Sequence, residues 1–504
     1  MRTISGLAAL AALAVVAVGV SPGGTPAGAA PASLENEATA YDVVGVITDH
    51  DGTTHTRMVR TYDGLPVIGG DRVVHRGPAG AGRGVSQTLE APLSLVTKPV
   101  LGVNAAEAVA GPKAESSRLV VDATSGTGRL AWEVISGGTQ ADGTPSRLAT
   151  YVDARSGKVL WREQQIQTAE GSGQSLYSGT VPLQLTQSGS SYQLKDATRG
   201  NTYTTDLNNK EDSILCQLLT VGCQAGTLFT SPDTSFGTGA TSSRESAAVD
   251  AQYGTNMTWD FYKTTYGRNG IFGDGSGSFN RVHYGKNYVN AFWDGTKMTY
   301  GDGDGTSYGP LVSLDVAGHE MSHGVTEHSA NLTYEGESGG LNEATSDIFG
   351  TMVEFFAANP NDPGDYLIGE EFDLKQHLGL RRMDNPASDG SSLNCWSSAA
   401  GNVDVHYSSG IGNHFFYLLA EGSGAKTLNG VSYNSPTCNG STVSGIGRDE
   451  AARIWYRALT VYMTSGTDYH GARTASLDAA RDLFTAGSVQ YNAVATAWSA
   501  VGVS

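Results

Sequence analysis

One short stretch restricts this chain more than any other: Ala317-Gly318-His319-Glu320-Met321-Ser322-His323-Gly324. On a helix, residues four apart stand one above the other, so His319 and His323 can present two imidazoles to a single ion. That is half of a tetrahedral zinc site. Glu320 is next to a ligand but offset around the helix, which suits it to take a proton from an activated water and not to bind the metal. Downstream stands Gly339-Gly340-Leu341-Asn342-Glu343-Ala344-Thr345-Ser346-Asp347. A catalytic zinc takes three protein ligands and keeps a fourth position open, and Glu343, 24 residues after His319, is the candidate for the third. Asp347, one helical turn further on, can orient His319 through its second ring nitrogen. A third histidine ten residues after the first would indicate a different ligand set, but that position is Ser329. Alone, the pentapeptide is compatible with a polar helix face in a chain of 11 histidines; its neighbours favour the metal.

Taken in order, these residues resemble the thermolysin family of secreted zinc endopeptidases. Asn290-Ala291-Phe292-Trp293 and Tyr300-Gly301-Asp302-Gly303-Asp304-Gly305 are similar to its substrate strand and the loop after it. The resemblance runs from about Gly171 to the C-terminus, with a weaker one before it. It implies that the Asn290 side chain and Ala291 carbonyl hold the substrate main chain, that His406 and Tyr334 donate to the oxyanion, and that Arg381 binds a substrate carbonyl. It also implies a pocket for the residue after the cut, lined by Tyr308, Leu311, Val316, Ile368 and Leu380 and suited to bulky apolar side chains. Asp315, Glu354, Asp365, the Leu367 carbonyl and Glu370 match one calcium site of the family, and such oxygen ligands from separate elements suit that ion. Two positions depart from the pattern. Gly401 stands where the family supports its histidine with an aspartate, leaving Asp404 or another group to orient His406. Leu367 stands where members with two calcium ions have a carboxylate.

Length allows two to four domains in 504 residues. At the start, Arg2, an apolar run from Gly6 to Val20 and the small residues Ala27-Gly28-Ala29 read as an export signal over 1–30. No later stretch is apolar and long enough to span a bilayer. The balance of 50 acidic to 32 basic side chains argues against nucleic acid or an anionic membrane as partner. Cys216, Cys223, Cys395 and Cys438 are expected to form two disulfides after export; nearness favours 216 with 223 and 395 with 438, and the other pairings stay open.

Residues 31–169 alternate like β-strands and carry no catalytic cluster. Two strands are expected around Gly64-Leu65-Pro66 and a hairpin turning at Arg155-Ser156-Gly157. Both resemble the propeptide modules of the family, which assist folding and cover the active site; a permanent β binding domain is the other reading. The small polar run Ala169-Glu170-Gly171-Ser172-Gly173-Gln174 reads as a linker or processing site. Residues 170–310 read as a β-rich lobe of antiparallel strands with one long helix over 245–266, and Asn290 to Trp293 as an edge strand able to pair with an extended peptide. Residues 311–504 read as helical, with helices over 341–358, 408–421, 448–464, 470–484 and 489–501.

The fold expected is therefore α+β, a β-rich lobe and an α-helical lobe with the zinc helix between them, preceded by a β-rich propeptide. The function expected is a secreted, monomeric zinc endopeptidase stabilised by calcium, acting on protein or peptide substrates and restrained by its own propeptide. Competing readings are a zinc-binding protein without proteolytic activity, a non-peptidase zinc hydrolase, and a β-rich binder with a structural zinc.

Overall fold

The computed structural model describes residues 38–139, 145–165, 168–213, 215–216 and 222–504. The export segment expected over 1–30 lies outside them. The described residues fall into two compact units, with 38–111, 116–134 and 150–161 in the first and 112–115, 135–139, 145–149 and those from 162 onward in the second. Among the described residues no helix is long and apolar enough to cross a membrane.

The first unit opens with β1 (Thr39–Thr48), β2 (Thr54–Tyr62), β3 (Leu65–Ile68), β4 (Arg72–Arg76) and β5 (Gly82–Gln87). After a helix α1 (Val103–Ala110) come β6 (Ala114–Asp122), β7 (Arg129–Thr139), β8 (Pro145–Asp153) and β9 (Val159–Gln164). They form one sheet in the order β5-β4-β2-β3-β6-β7-β8-β9, with β1 also on β2. Asp63 and Gly64 both take positive φ, the backbone of a tight hairpin turn between β2 and β3. Where two strands were expected around that turn there are three. A Cβ on Gly70 would meet Val67 Cγ1 at 2.4 Å, so the chain bends sharply there, and β3 ends before β4 begins. The hairpin at 155–157 is present, with Asp153 Oδ1 accepting from the Arg155 and Ser156 N–H groups. A small core of Tyr62, Val67, Leu89, Leu93, Val121 and Ala123 belongs to this unit.

The second unit begins with β10 (Thr168–Gln174), the run expected to be a linker or processing site. It is instead a paired strand, matched along its length to β11 (Thr180–Ser188). Its glycines serve close packing: a Cβ would come 2.4 Å from Leu185 Cδ1 at Gly171 and 2.4 Å from Val249 Cγ1 at Gly173. Short strands follow: β12 (Ser191–Gln193), β13 (Lys195–Asp196), β14 (Thr202–Asp206), β15 (Thr227–Leu228), β16 (Thr230–Ser231) and β17 (Ser235–Phe236). Then come helix α2 (Arg244–Tyr266) and strands β18 (Phe279–Tyr284), β19 (Ala291–Trp293) and β20 (Met298–Gly301). One sheet runs β16-β12-β11-β10-β17, the other β13-β14-β18-β20-β19 with β15 on β14. The expectation of antiparallel strands is corrected here, because β14–β18 and β18–β20 are parallel. Between β14 and β18 the 23 residues of α2 return the chain in the same direction, and between β18 and β20 the antiparallel edge strand β19 does so. β19 lies at the sheet edge, as expected.

Beyond Gly301 the chain is mostly helical: α3 (Leu314–Glu327), α4 (Gly336–Ala357), α5 (Gly410–Glu421), α6 (Arg448–Arg457), α7 (Tyr469–Phe484) and α8 (Val489–Ala500). The histidine spacing located α3, and the apolar periodicity the other five. α4 starts five residues before the expected 341, at Gly336, because glycines are poor helix formers and hide a helix start from propensity. Here they permit contact: a Cβ on Gly339 would lie 2.5 Å from Val405 Cγ1, and one on Gly340 2.5 Å from Ser408 Oγ. Phe415 stacks on Trp498 at 3.8 Å within a core that also buries Trp455, fixing α5, α6 and α8 together. Cys216 pairs with Cys223 and Cys395 with Cys438, the pairing that nearness favoured.

A fully buried Arg281 on β18 donates to both oxygens of Asp212, at 3.0 and 2.7 Å, and to Thr299 and the Gln224 carbonyl. Burial opposes ionisation of Asp212, but Arg281 and the Gln224 N–H hold its carboxyl below its ordinary value. Asp212→Ala leaves the guanidinium buried without its counter-charge, a loss of about 3–5 kcal/mol expected as a lower denaturant midpoint. The contribution of this pair is complete above the unfolded pKa of about 3.9 and is lost as pH falls through the lower folded value.

Candidate active site

Two helices build the site because they can approach closely. Gly318 on α3 faces Gly350 on α4; a Cβ on Gly350 would lie 2.4 Å from the Asp315 carbonyl oxygen, and one on Gly318 3.0 Å from Gly350 Cα. The contact brings His319 and His323 from α3 against Glu343 and Asp347 from α4. The two Nε2 atoms are 3.0 Å apart, with Glu343 oxygens 3.6 Å from His319 Nε2 and 3.4 Å from His323 Nε2.

The outer nitrogens decide what the inner ones can do. Asn342 Nδ2 donates to the Leu332 carbonyl, so its Oδ1 faces His323 Nδ1 at 2.7 Å and the proton belongs on Nδ1. Asp347 accepts from His319 Nδ1 at 2.9 Å. With the outer nitrogens so engaged, Nε2 is the inward-facing atom on both rings, and the two stand at a spacing from which both can ligate one ion. Glu343 Oε2 is buried and has no hydrogen-bond partner among the described residues. A third donor with an unsatisfied charge-bearing atom fits a zinc ion held by two nitrogens and a carboxylate.

The protonation balance reports the same surplus of negative charge. Burial pulls His319 down, yet the Asp347 and Glu343 carboxylates raise it to about 9. Burial dominates at His323 and lowers it to about 4. Asp347 is buried and accepts from Arg381 Nε and Nη2, at 2.9 and 2.7 Å, and from Asn413 Nδ2 at 2.8 Å. Burial works against its charge, but Arg381 and His319 hold its carboxyl far below the usual range. Glu320 has no such support. Burial, outweighing His319, pushes it up to about 7, which suits a group that must both take and return a proton near neutrality.

These residues line a cavity of about 760 Å³. Its walls include the expected Asn290, Ala291, Tyr334, His406 and Arg381. Tyr334 donates from its hydroxyl to Glu343 Oε1, and that hydroxyl lies 3.2 Å from His406 Nε2. Asp404 takes His406 Nδ1 at 2.9 Å and its backbone N–H at 3.0 Å, occupying the role for which Gly401 offers nothing. Leu311, Val316, Ile368 and Leu380 form the expected apolar wall, with one correction. Tyr308 packs edge-on against Phe372, and it is Phe372 that reaches the cavity.

A second group of acids lies at the C-terminal end of α4 and in the loop after it. Glu354, Asp362 and Glu370 bring carboxylate oxygens within 4.8 Å of one another, and Glu354 Oε1, Asp362 Oδ2 and Glu370 Oε2 are buried without hydrogen-bond partners among the described residues. Burial raises all three above their ordinary values, reinforced by repulsion from Glu370 at Glu354 and from Asp315 at Asp362 and Glu370. Asp315 accepts from Gly369 N, and Asp365 from Leu367 N, both at 2.6 Å, so these two also shape the loop around the cluster. Asp362 was not anticipated. The only signal was its word Asn361-Asp362-Pro363 close to Asp365.

The thermolysin metallopeptidase catalytic domain matches residues 170–327, its alpha-helical domain 330–503, and the fungalysin/thermolysin propeptide motif 39–89. The chain belongs to the thermolysin family of metallopeptidases. It is 51% identical over 476 residues to a transglutaminase-activating metalloprotease of Streptomyces mobaraensis, a match covering 92% of this chain but 60% of that protein. A bacillolysin of Bacillus cereus is 34% identical, with 90% and 83% covered, and a thermolysin of Alicyclobacillus acidocaldarius 35%, with 92% and 85%. In this thermolysin-family chain, Asp347→Ala is expected to weaken zinc binding about 10–100-fold, measured by competition with a chromogenic chelator.

Proposed function

We propose that the chain is a secreted zinc endopeptidase that cuts on the N-terminal side of bulky hydrophobic residues, with Glu320 as general base. The observation that carries this is the buried Glu320, raised to about 7 beside a group of two imidazoles and a carboxylate. His319, His323 and Glu343 would hold the zinc, which when bound supplies Lewis acidity, bringing water toward a pKa of about 7 and polarising the scissile carbonyl. Glu320 accepts the water's proton at its carboxylate and returns it to the leaving amine. His406 Nε2 and the Tyr334 hydroxyl, both lining the cavity, donate to the oxyanion. Arg381 uses Nε and Nη2 on Asp347 and offers Nη1 to a substrate carbonyl. Asn290 and the edge strand at Ala291 hold the substrate backbone. The wall of Leu311, Val316, Ile368, Phe372 and Leu380 takes the apolar side chain after the cut.

On this reading residues 1–30 are an export signal, 31–169 an inhibitory propeptide, 170–310 the β-rich catalytic lobe and 311–504 the zinc helix with the helical lobe. The propeptide motif over 39–89 supports the second assignment. The chain acts as a monomer, without nucleic acid or membrane.

Calcium is the second ion. Asp315, Glu354, Asp365, the Leu367 carbonyl and Glu370 hold it, with Asp362 as a further donor, because buried unpartnered carboxylates need a hard cation to stay ionised.

Glu320→Gln is expected to keep one zinc per chain while casein hydrolysis falls about 10²–10⁴-fold. Activity that survives both this change and zinc removal would overturn the reading. Calcium withdrawal at constant zinc is expected to lower the thermal midpoint, and Asp362→Asn to weaken calcium binding in titration calorimetry.

A further inference from the structure

The cleft floor changes character along α3. Val316, His319, Glu320, His323 and Glu327 line it at three- and four-residue intervals, so they share one face of the helix. The eleven steps from Val316 to Glu327 span about 16 Å along the axis, with the zinc donors between. At the Val316 end the wall is apolar. Gly369 N–H is bonded to Asp315, and Leu380 N–H to the Ile368 carbonyl, which holds Ile368 and Leu380 beside Val316.

At the Glu327 end the chemistry is aromatic and acidic. Trp293 donates from Nε1 to Glu327 Oε2 at 2.8 Å. The indole rests on Gly324, where a Cβ would lie 3.1 Å from its Cζ2, and packs beside Phe272 at 6.1 Å. Glu327 is exposed, lines the cavity, and among the described residues joins no ion pair. One carboxylate oxygen is thus fixed by the indole and the charge is left for a ligand.

We propose that Trp293 and Glu327 form a subsite for a cationic side chain, lysine or arginine, in the part of the substrate that precedes the scissile bond. The proposal rests on the peptidase reading: if the apolar end takes the residue after the cut, a peptide laid along α3 places its earlier residues at the Glu327 end. An indole face beside a carboxylate is the pair that recognises ammonium and guanidinium groups, one through its quadrupole and the other through charge-assisted hydrogen bonds. Because the Trp293 N–H already holds Glu327, little side-chain freedom remains to be lost on binding. The net charge of −18 draws basic peptides in general, and this pair gives that attraction a position.

The test uses the processed holoenzyme and quenched fluorescent peptides with leucine after the cut and arginine, alanine or glutamate at each of the three preceding positions. At one position the arginine peptide is expected to exceed the glutamate peptide in kcat/KM by about tenfold or more at low ionic strength, the gap narrowing with salt. Glu327→Gln, which keeps an acceptor for the Trp293 N–H, is expected to bring that ratio close to one, and Glu327→Lys to invert it. A ratio near one at all three positions in the unaltered enzyme, or one unchanged in Glu327→Gln, overturns the subsite while leaving the peptidase reading intact. Failure to cut any of the peptides overturns the peptidase reading, and the subsite with it.

Discussion

The site depends on how closely α3 and α4 can cross. Interiors are packed near crystal density, so a methyl group at Gly350, 2.4 Å from a backbone oxygen, has nowhere to go unless the helices separate. α2 approaches from another side under a similar restriction, since a Cβ on Gly254 would lie 2.3 Å from that of Ala317. These small residues set the spacing at which Glu343 meets two imidazoles. Positions with no functional group thereby determine the geometry of those that have one.

Charge is then distributed over the two helices. On one side, the Asp347 carboxylate is saturated by donors from His319, Arg381 and Asn413, which fix its orientation and that of the His319 ring. On the other, Glu354 on α4, with Asp362 and Glu370 from the loop after it, leaves three buried oxygens without donors among the described residues. A network of the first kind orients ligands; one of the second kind needs a cation. A cation at the first group would join α3 to α4, and one at the second would join the end of α4 to the loop after it.

What the sequence revealed follows from where helical periodicity turns spacing into geometry. His319 and His323, and Glu343 and Asp347, are four apart, and each pair necessarily shares a helix face. Asp404 was legible as a partner for His406 because the two are near neighbours. Strand direction was not legible, because α2 sets it by returning the chain to the sheet, and residue alternation carries no sign of direction. The Gly171 and Gly173 run resembled a linker since nothing local records that Leu185 and Val249 press on it. Phe372 for Tyr308, Asp362, and the Trp293–Glu327 contact were hidden for the same reason: each depends on a partner distant in sequence.

The central claim is that two helices supply three donors to one zinc ion and leave room for solvent. X-ray absorption at the zinc edge of the purified enzyme tests it most directly. The account predicts two imidazole nitrogens at about 2.0–2.1 Å, carboxylate oxygen at about 2.0–2.2 Å, and a further light atom that inhibitor binding displaces. A fourth protein ligand, or a spectrum left unchanged by Glu343→Ala, would contradict it.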